Sequence, residues 1–125
     1  MEKEKQSLGS AFHNAFMGLR FIFISERNAK IHLVATILVI IAAIFFKITK
    51  FDWLAIIFAI GFVWVSESLN TAIEKITDLA SPEYHELARI TKDTAAAAVL
   101  LASITSAIIG FIVFIPRFIQ WISNL

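Results

Sequence analysis

The run WLAIIFAIGFVWV, Trp53 to Val65, leads directly into SESLNTAIEKITD, Ser66 to Asp78. The first part is thirteen apolar residues without a break. The second places Glu67, Asn70, Glu74 and Asp78 at successive spacings of three, four and four. At about 100° per residue, those four side chains share one narrow face of a helix. One helix therefore leaves an apolar environment and presents a polar, mostly acidic stripe as it emerges. Hydrocarbon around the first half and an aqueous edge at the second satisfy both halves, which makes this a membrane helix ending at an interface.

Two further apolar runs lie on either side, Leu33 to Phe46 and Thr94 to Pro116, and the latter holds no charged residue. A helix needs about 20 apolar residues to cross a bilayer core. The Thr94 to Pro116 run meets that length alone, and the other two must extend through polar residues at their ends. Hydrophobic residues make up 58% of the 125-residue chain, against about 45–50% in soluble domains, and the mean hydropathy is +0.78. No amphipathic partner set is present to cover these runs inside a soluble core. The expected fold is all-α and integral to a membrane, one domain over residues 1–125, with spans at about 29–48, 52–78 and 90–121.

Ahead of the spans, Leu8, Phe12, Ala15, Phe16, Leu19 and Phe23 recur at spacings that put them on one helical face. Ser7, Ser10, Asn14 and Arg20 lie mostly away from it. The segment at about 5–25 reads as an amphipathic helix lying on the membrane surface. Met1 to Gln6 is charged and polar, and because the amphipathic segment sits in front of the first apolar run no cleavable signal peptide is expected before it. Thr49 to Asp52 reads as a tight turn, and Leu79 to Arg89 as the join between the second and third spans, broken at Ser81-Pro82.

A net charge of +1 gives no electrostatic reason to expect a nucleic-acid partner. The absence of cysteine excludes disulfides and thiolate-ligated metals. With the N-terminus inside, Lys3, Lys5, Arg20, Arg27, Lys30, Lys75, Arg89 and Lys92 fall on the inner side, and Lys47, Lys50 and Arg117 on the outer. Eight basic residues against three orient the acidic stripe towards the cytoplasm.

Like charges repeated along one face repel, so the stripe calls for a cation to offset it. Mg²⁺ suits it, being held by oxygen ligands, one or two carboxylates together with substrate phosphates. Glu67, at the end of an apolar run, is costly there and marks function. Ser25-Glu26-Arg27-Asn28, with Lys30 and His32, and Pro82-Glu83-Tyr84-His85-Glu86, with Lys92-Asp93, bring more polar groups to the same side. The chain lacks a GxxxxGK[ST] loop and the HRD and DFG motifs of soluble kinases. Phosphoryl transfer needs little from a protein beyond a held metal, a cation for the phosphate and a group that orients or deprotonates the attacking hydroxyl. Glu26 and Glu74 suit the metal, Lys92 the phosphate and Glu67 the base.

The order Glu67-Ser-Leu-Asn70-Thr71-Ala-Ile-Glu74, Asp78, Glu83-Tyr84-His85 and Lys92-Asp93-Thr-Ala-Ala-Ala-Ala-Val resembles the signature of the prokaryotic diacylglycerol kinase family, which includes undecaprenol kinases. Gly18-Leu19-Arg20 and the Glu26-Arg27-Asn28…His32 block extend the resemblance over nearly the whole chain, and that block looks more like the undecaprenol-kinase branch. The resemblance implies a homotrimer in the bacterial inner membrane, with sites shared between neighbouring subunits, acting on ATP and a membrane lipid. By matching position it implies Glu67 as catalytic base with Asn70 beside it, and Glu26 and Glu74 as metal-holding carboxylates that also contact ATP. It further implies Glu83, Tyr84, His85, Lys92 and Asp93 as nucleotide contacts, and Arg20, Glu67 and Ala97 as contacts of the lipid. Ser7, Ser10 and Asn14 stand where some family members carry basic and tyrosine residues, so no nucleotide contact is assigned to the surface helix.

Two other functions compete. A non-enzymatic membrane subunit or a proton-coupled transporter component also uses intramembrane carboxylates, but transporter sites lie near the midplane. A structural assembly module accounts for the small residues Ala95, Ala98, Ala102, Ser106 and Gly110 on the third span, which allow close helix contact.

Overall fold

The computed structural model describes residues 5–125; Lys3, counted above on the inner side, lies outside them. The chain forms four helices, α1 (Leu8–Ser25), α2 (Arg27–Phe45), α3 (Lys50–Ala80) and α4 (Glu86–Ser123). Of these, α2, α3 and α4 are long and apolar enough to cross a membrane. At 31 and 38 residues, α3 and α4 exceed the ~20 residues that a hydrocarbon core requires, which leaves polar ends for the interface.

Ser7 starts α1 by accepting a hydrogen bond from the Ser10 amide at 3.2 Å, a side-chain cap for one of the orphan N–H groups. The stripe Leu8, Phe12, Phe16, Leu19 and Phe23 stays exposed on this chain, and the residue that α1 buries is Ile22, one position off the stripe. Two contacts seat α1 on α3. The Phe23 and Trp64 rings lie 4.9 Å apart, and the Lys75 ammonium stands 5.5 Å over the Phe21 ring. Glu26 alone separates α1 from α2, in extended conformation, and its side chain makes no capping hydrogen bond.

The α2–α3 connection lies earlier than the spacing of turn residues predicts. Lys50, Phe51 and Asp52 already belong to α3, and the turn is Phe46 to Thr49. Lys47 takes a left-handed φ of 50°. Its amide meets the Ile44 carbonyl and that of Ile48 meets Ala43, the pattern of a Schellman stop with a lysine where glycine is usual. Thr49 then caps α3, accepting from the Asp52 amide at 3.2 Å and donating to the Asp52 carboxylate at 2.9 Å. This reciprocal cap makes Lys50, Phe51 and Asp52 the first helical turn rather than the loop. The α3–α4 join is likewise shorter, Ser81 to His85, because α3 continues through Ala80 and the His85 ring nitrogen caps α4 by accepting from Leu87 at 3.1 Å.

The closest packing is between α3 and α4. Ser106 donates to the Ala59 carbonyl across them at 2.9 Å, and Ala59, Ala95 and Ala102 are buried. Part of the small-residue stripe thus serves approach within the chain. At the end of the bundle remote from the acidic stripe, Arg117 pairs with Asp52, and Ala43, Ile48, Ile56 and Val113 form the apolar core. α2 touches α3 sparsely, which opens a groove of about 580 Å³ between α2, α3 and α4, lined by Val39, Phe46, Ile60, Phe111 and Phe114 among others.

Candidate active site

The acidic stripe emerges at the other end, where α2 begins, α3 ends and α4 begins. A second cavity of about 300 Å³ lies there, lined by Asn28, Ile31 and His32 of α2, Glu67, Asn70 and Glu74 of α3, and Ala96, Val99, Leu100 and Ser103 of α4. Three helices thus meet around the residues at the spacings of three and four. Glu67 is the most enclosed of the acids, with 1% of its surface exposed. The His32 ring places Nε2 at 3.5 Å from its Oε2.

Each acid of the stripe meets a different neighbour. Asp78 pairs with Lys92 of α4, and the Asn70 amide donates to Glu74 at 3.3 Å. Among the described residues, neither Glu26 nor Glu74 forms an ion pair. Three buried oxygens at this level, Glu67 Oε2, Asn70 Oδ1 and Thr71 Oγ1, have no hydrogen-bond partner among the described residues. A buried acceptor left unpaired costs about 1–3 kcal/mol, and two of these three, on Glu67 and Asn70, belong to residues that line the cavity, which suits it to a further group.

The α3–α4 join and the first turns of α4 form a second, exposed cluster. Tyr84 donates to Glu86 at 2.8 Å, and Arg89 links Glu86 to Asp93, the latter at 2.9 Å. Glu83, Tyr84, His85 and Asp93 all lie exposed at this aqueous end, and His85 spends its Nδ1 on the helix cap. Arg20 and Ala97 are exposed and do not line the polar cavity of their own chain.

A family profile described as prokaryotic diacylglycerol kinase matches residues 13–114, a segment that contains every residue of the cavity. The chain belongs to the prokaryotic diacylglycerol kinase family. Undecaprenol kinase of Bacillus subtilis is 38% identical over 93 residues, 74% of this chain and 76% of that protein. Diacylglycerol kinase of Synechocystis sp. is 37% identical over 107 residues, 85% of this chain but 61% of its own length. Diacylglycerol kinase of Escherichia coli is 34% identical over 94 residues, 75% of this chain and 77% of that protein. The acidic stripe read from the sequence therefore lies in the matched part of a kinase family.

Asn28 and Ser103 also line the cavity; the sequence names Asn28 only as part of a polar block and gives Ser103 no role. Asn28 and His32, four apart, share a face of α2 by the same arithmetic that groups the α3 acids. Val99 and Ser103 do the same on α4. Periodicity names each face, but which faces meet depends on how the helices cross.

Proposed function

We propose that this protein is a membrane lipid kinase that transfers the γ-phosphate of ATP to the hydroxyl of a lipid alcohol. The acceptor is diacylglycerol, giving phosphatidic acid, or undecaprenol, giving undecaprenyl phosphate. The observation that carries this reading is the enclosed Glu67 carboxylate, lining a cavity that shares His32 and Ser103 with an apolar groove, in a chain of this family. An intramembrane end open to lipid and a charged end open to nucleotide are what the two substrates require.

In this reading Glu67 accepts the proton of the acceptor hydroxyl as its oxygen bonds to the γ-phosphorus and the bond to the ADP oxygen breaks. Asn70, one turn away, helps orient the reacting groups. Lys92 meets the phosphates, exchanging its Asp78 partner for them. Glu83, Tyr84, His85 and Asp93 hold the nucleotide at the aqueous end, and Arg20 and Ala97 contact the lipid. The oxygen donors suit Mg²⁺. Among the described residues, Glu26 and Glu74 have no cationic partner, Asn70 Oδ1 is unpaired beside Glu74, and no group of three acids or histidines forms a protein-only site. Mg²⁺ is usually held this way, by one or two carboxylates and the substrate's phosphates. Glu26 and Glu74 would hold it, and when bound it offsets the charge on the phosphates.

The chain is taken as a homotrimer whose sites are shared, with α1 on the membrane surface and the acidic end in the cytoplasm, where ATP is. The exposed apolar stripe of α1 and the eight-to-three basic asymmetry support these placements. The polar side chains converge at one end rather than at mid-span, so nothing favours a transporter component or a non-enzymatic subunit. The test is incubation of the purified protein with radiolabelled ATP and a panel of diacylglycerol and polyprenols. Label in a lipid phosphate is expected; label released only as inorganic phosphate, or not at all, would remove the assignment.

A further inference from the structure

Resting on the kinase reading above, the geometry points to His32 as a positioning residue for Glu67, engaging one oxygen of the base's carboxylate.

Glu67 is enclosed by its own chain, yet among the described residues Oε2 finds no hydrogen-bond donor. The nearest polar group of opposite character is His32 Nε2 at 3.5 Å, on a ring that is itself largely covered, with 18% of its side chain exposed. Hydrogen bonds of a catalytic group are often long without substrate and tighten in the reacting complex. With Nε2 as the N–H donor, the imidazole engages Oε2 and leaves the other carboxylate oxygen for the acceptor hydroxyl. A base that is itself oriented by a third group is a recurrent arrangement in nucleophile activation.

The surroundings of His32 show that its position is built. Its ring meets Trp64 edge-on, with centroids 6.3 Å apart. The Trp64 indole donates to Thr36 Oγ at 3.1 Å, and Thr36 Oγ donates to the His32 carbonyl at 2.7 Å. Phe23 of α1 closes on the Trp64 ring. This relay fixes α2 against α3 at the level of Glu67, although the two helices otherwise touch sparsely. His32 and Ser103 are also the residues common to both cavities. A hydroxyl whose lipid tail lies in the apolar groove reaches Glu67 past His32. The group that orients the base therefore stands where the acceptor, and not the nucleotide, arrives.

The experiment compares the full-length parent, His32→Ala and His32→Gln in mixed micelles containing diacylglycerol and undecaprenol, with radiolabelled ATP. Misplacing a catalytic group costs up to about a hundredfold, so His32→Ala is expected to lower kcat about ten- to a hundredfold while the KM for ATP stays within about twofold. His32→Gln, whose amide nitrogen restores a donor, is expected to recover most of that loss. Parental kcat in His32→Ala, or equal losses in both variants, would overturn the positioning role. A second readout does not depend on activity: the ring-nitrogen NMR signal of His32 is expected to move on Glu67→Gln, while those of His13 and His85 stay. An unmoved His32 signal would overturn the pairing. A parent that phosphorylates no lipid would count against the kinase reading instead, and the NMR comparison keeps the two failures apart.

Discussion

Glu67 and the acids around it differ in what each already holds, and that difference sorts their proposed roles. Asp78 has Lys92, Glu67 faces His32, and Glu26 and Glu74 are left without cations among the described residues. Replacing Glu26 or Glu74 by Ala is accordingly expected to raise the Mg²⁺ concentration needed for half-maximal rate, and an unchanged titration in both would take them out of the metal site. Lys92→Ala is expected to raise the KM for ATP about tenfold, since a hydrogen bond to a charged group contributes about 1.5–3 kcal/mol and 1.4 kcal/mol is tenfold. An unaltered KM would remove Lys92 from the phosphates. The 3-4-4 spacing made the stripe legible in the sequence because it depends only on the helical period. The approach of His32 to Glu67, 35 positions apart, depends on a helix crossing that no local pattern encodes.

At the scale of elements, the four helices were legible because hydrophobic runs of this length have few other solutions in a bilayer. Their joints were less so. Thr49 reads as a turn residue, but with Asp52 three positions on it is a cap, and the helix begins there. Lys47 stops α2 in a conformation that favours glycine, which residue type alone does not announce. The α3–α4 interface rests on small residues, with Ala102 fully buried. Enlarging it in Ala102→Leu is expected to destabilise the protein by about 1–3 kcal/mol, read as a lower midpoint of thermal inactivation in detergent. Ser106→Ala, which removes the bond to the Ala59 carbonyl, is expected to cost about 0.6 kcal/mol. If Ala102→Leu were as stable as the parent, the interface would not be packed as closely as its burial indicates.

At the scale of the whole molecule, the single chain keeps some of the proposed contact residues apart. Arg20 and Ala97 are exposed and away from its own polar cavity, and α1 leaves its apolar stripe uncovered. The proposed trimer brings such residues to a neighbour's cavity. Two inactive variants altered in different elements, Glu26→Ala and Lys92→Ala, are then expected to regain activity when mixed during reassembly, because some sites would draw only intact elements. Activity at background, with subunit mixing confirmed by crosslinking, would place both elements of each site on one chain. Independently of the assembly, the proposed reaction is phosphate transfer to lipid at the polar cavity with Glu67 as its base. Its most direct measurement is lipid labelling by the purified parent and by Glu67→Gln at saturating Mg-ATP, with nucleotide binding measured in parallel. The expected result is labelled lipid from the parent, none above background from Glu67→Gln, and equal nucleotide affinity in both. Near-parental turnover in Glu67→Gln would contradict it.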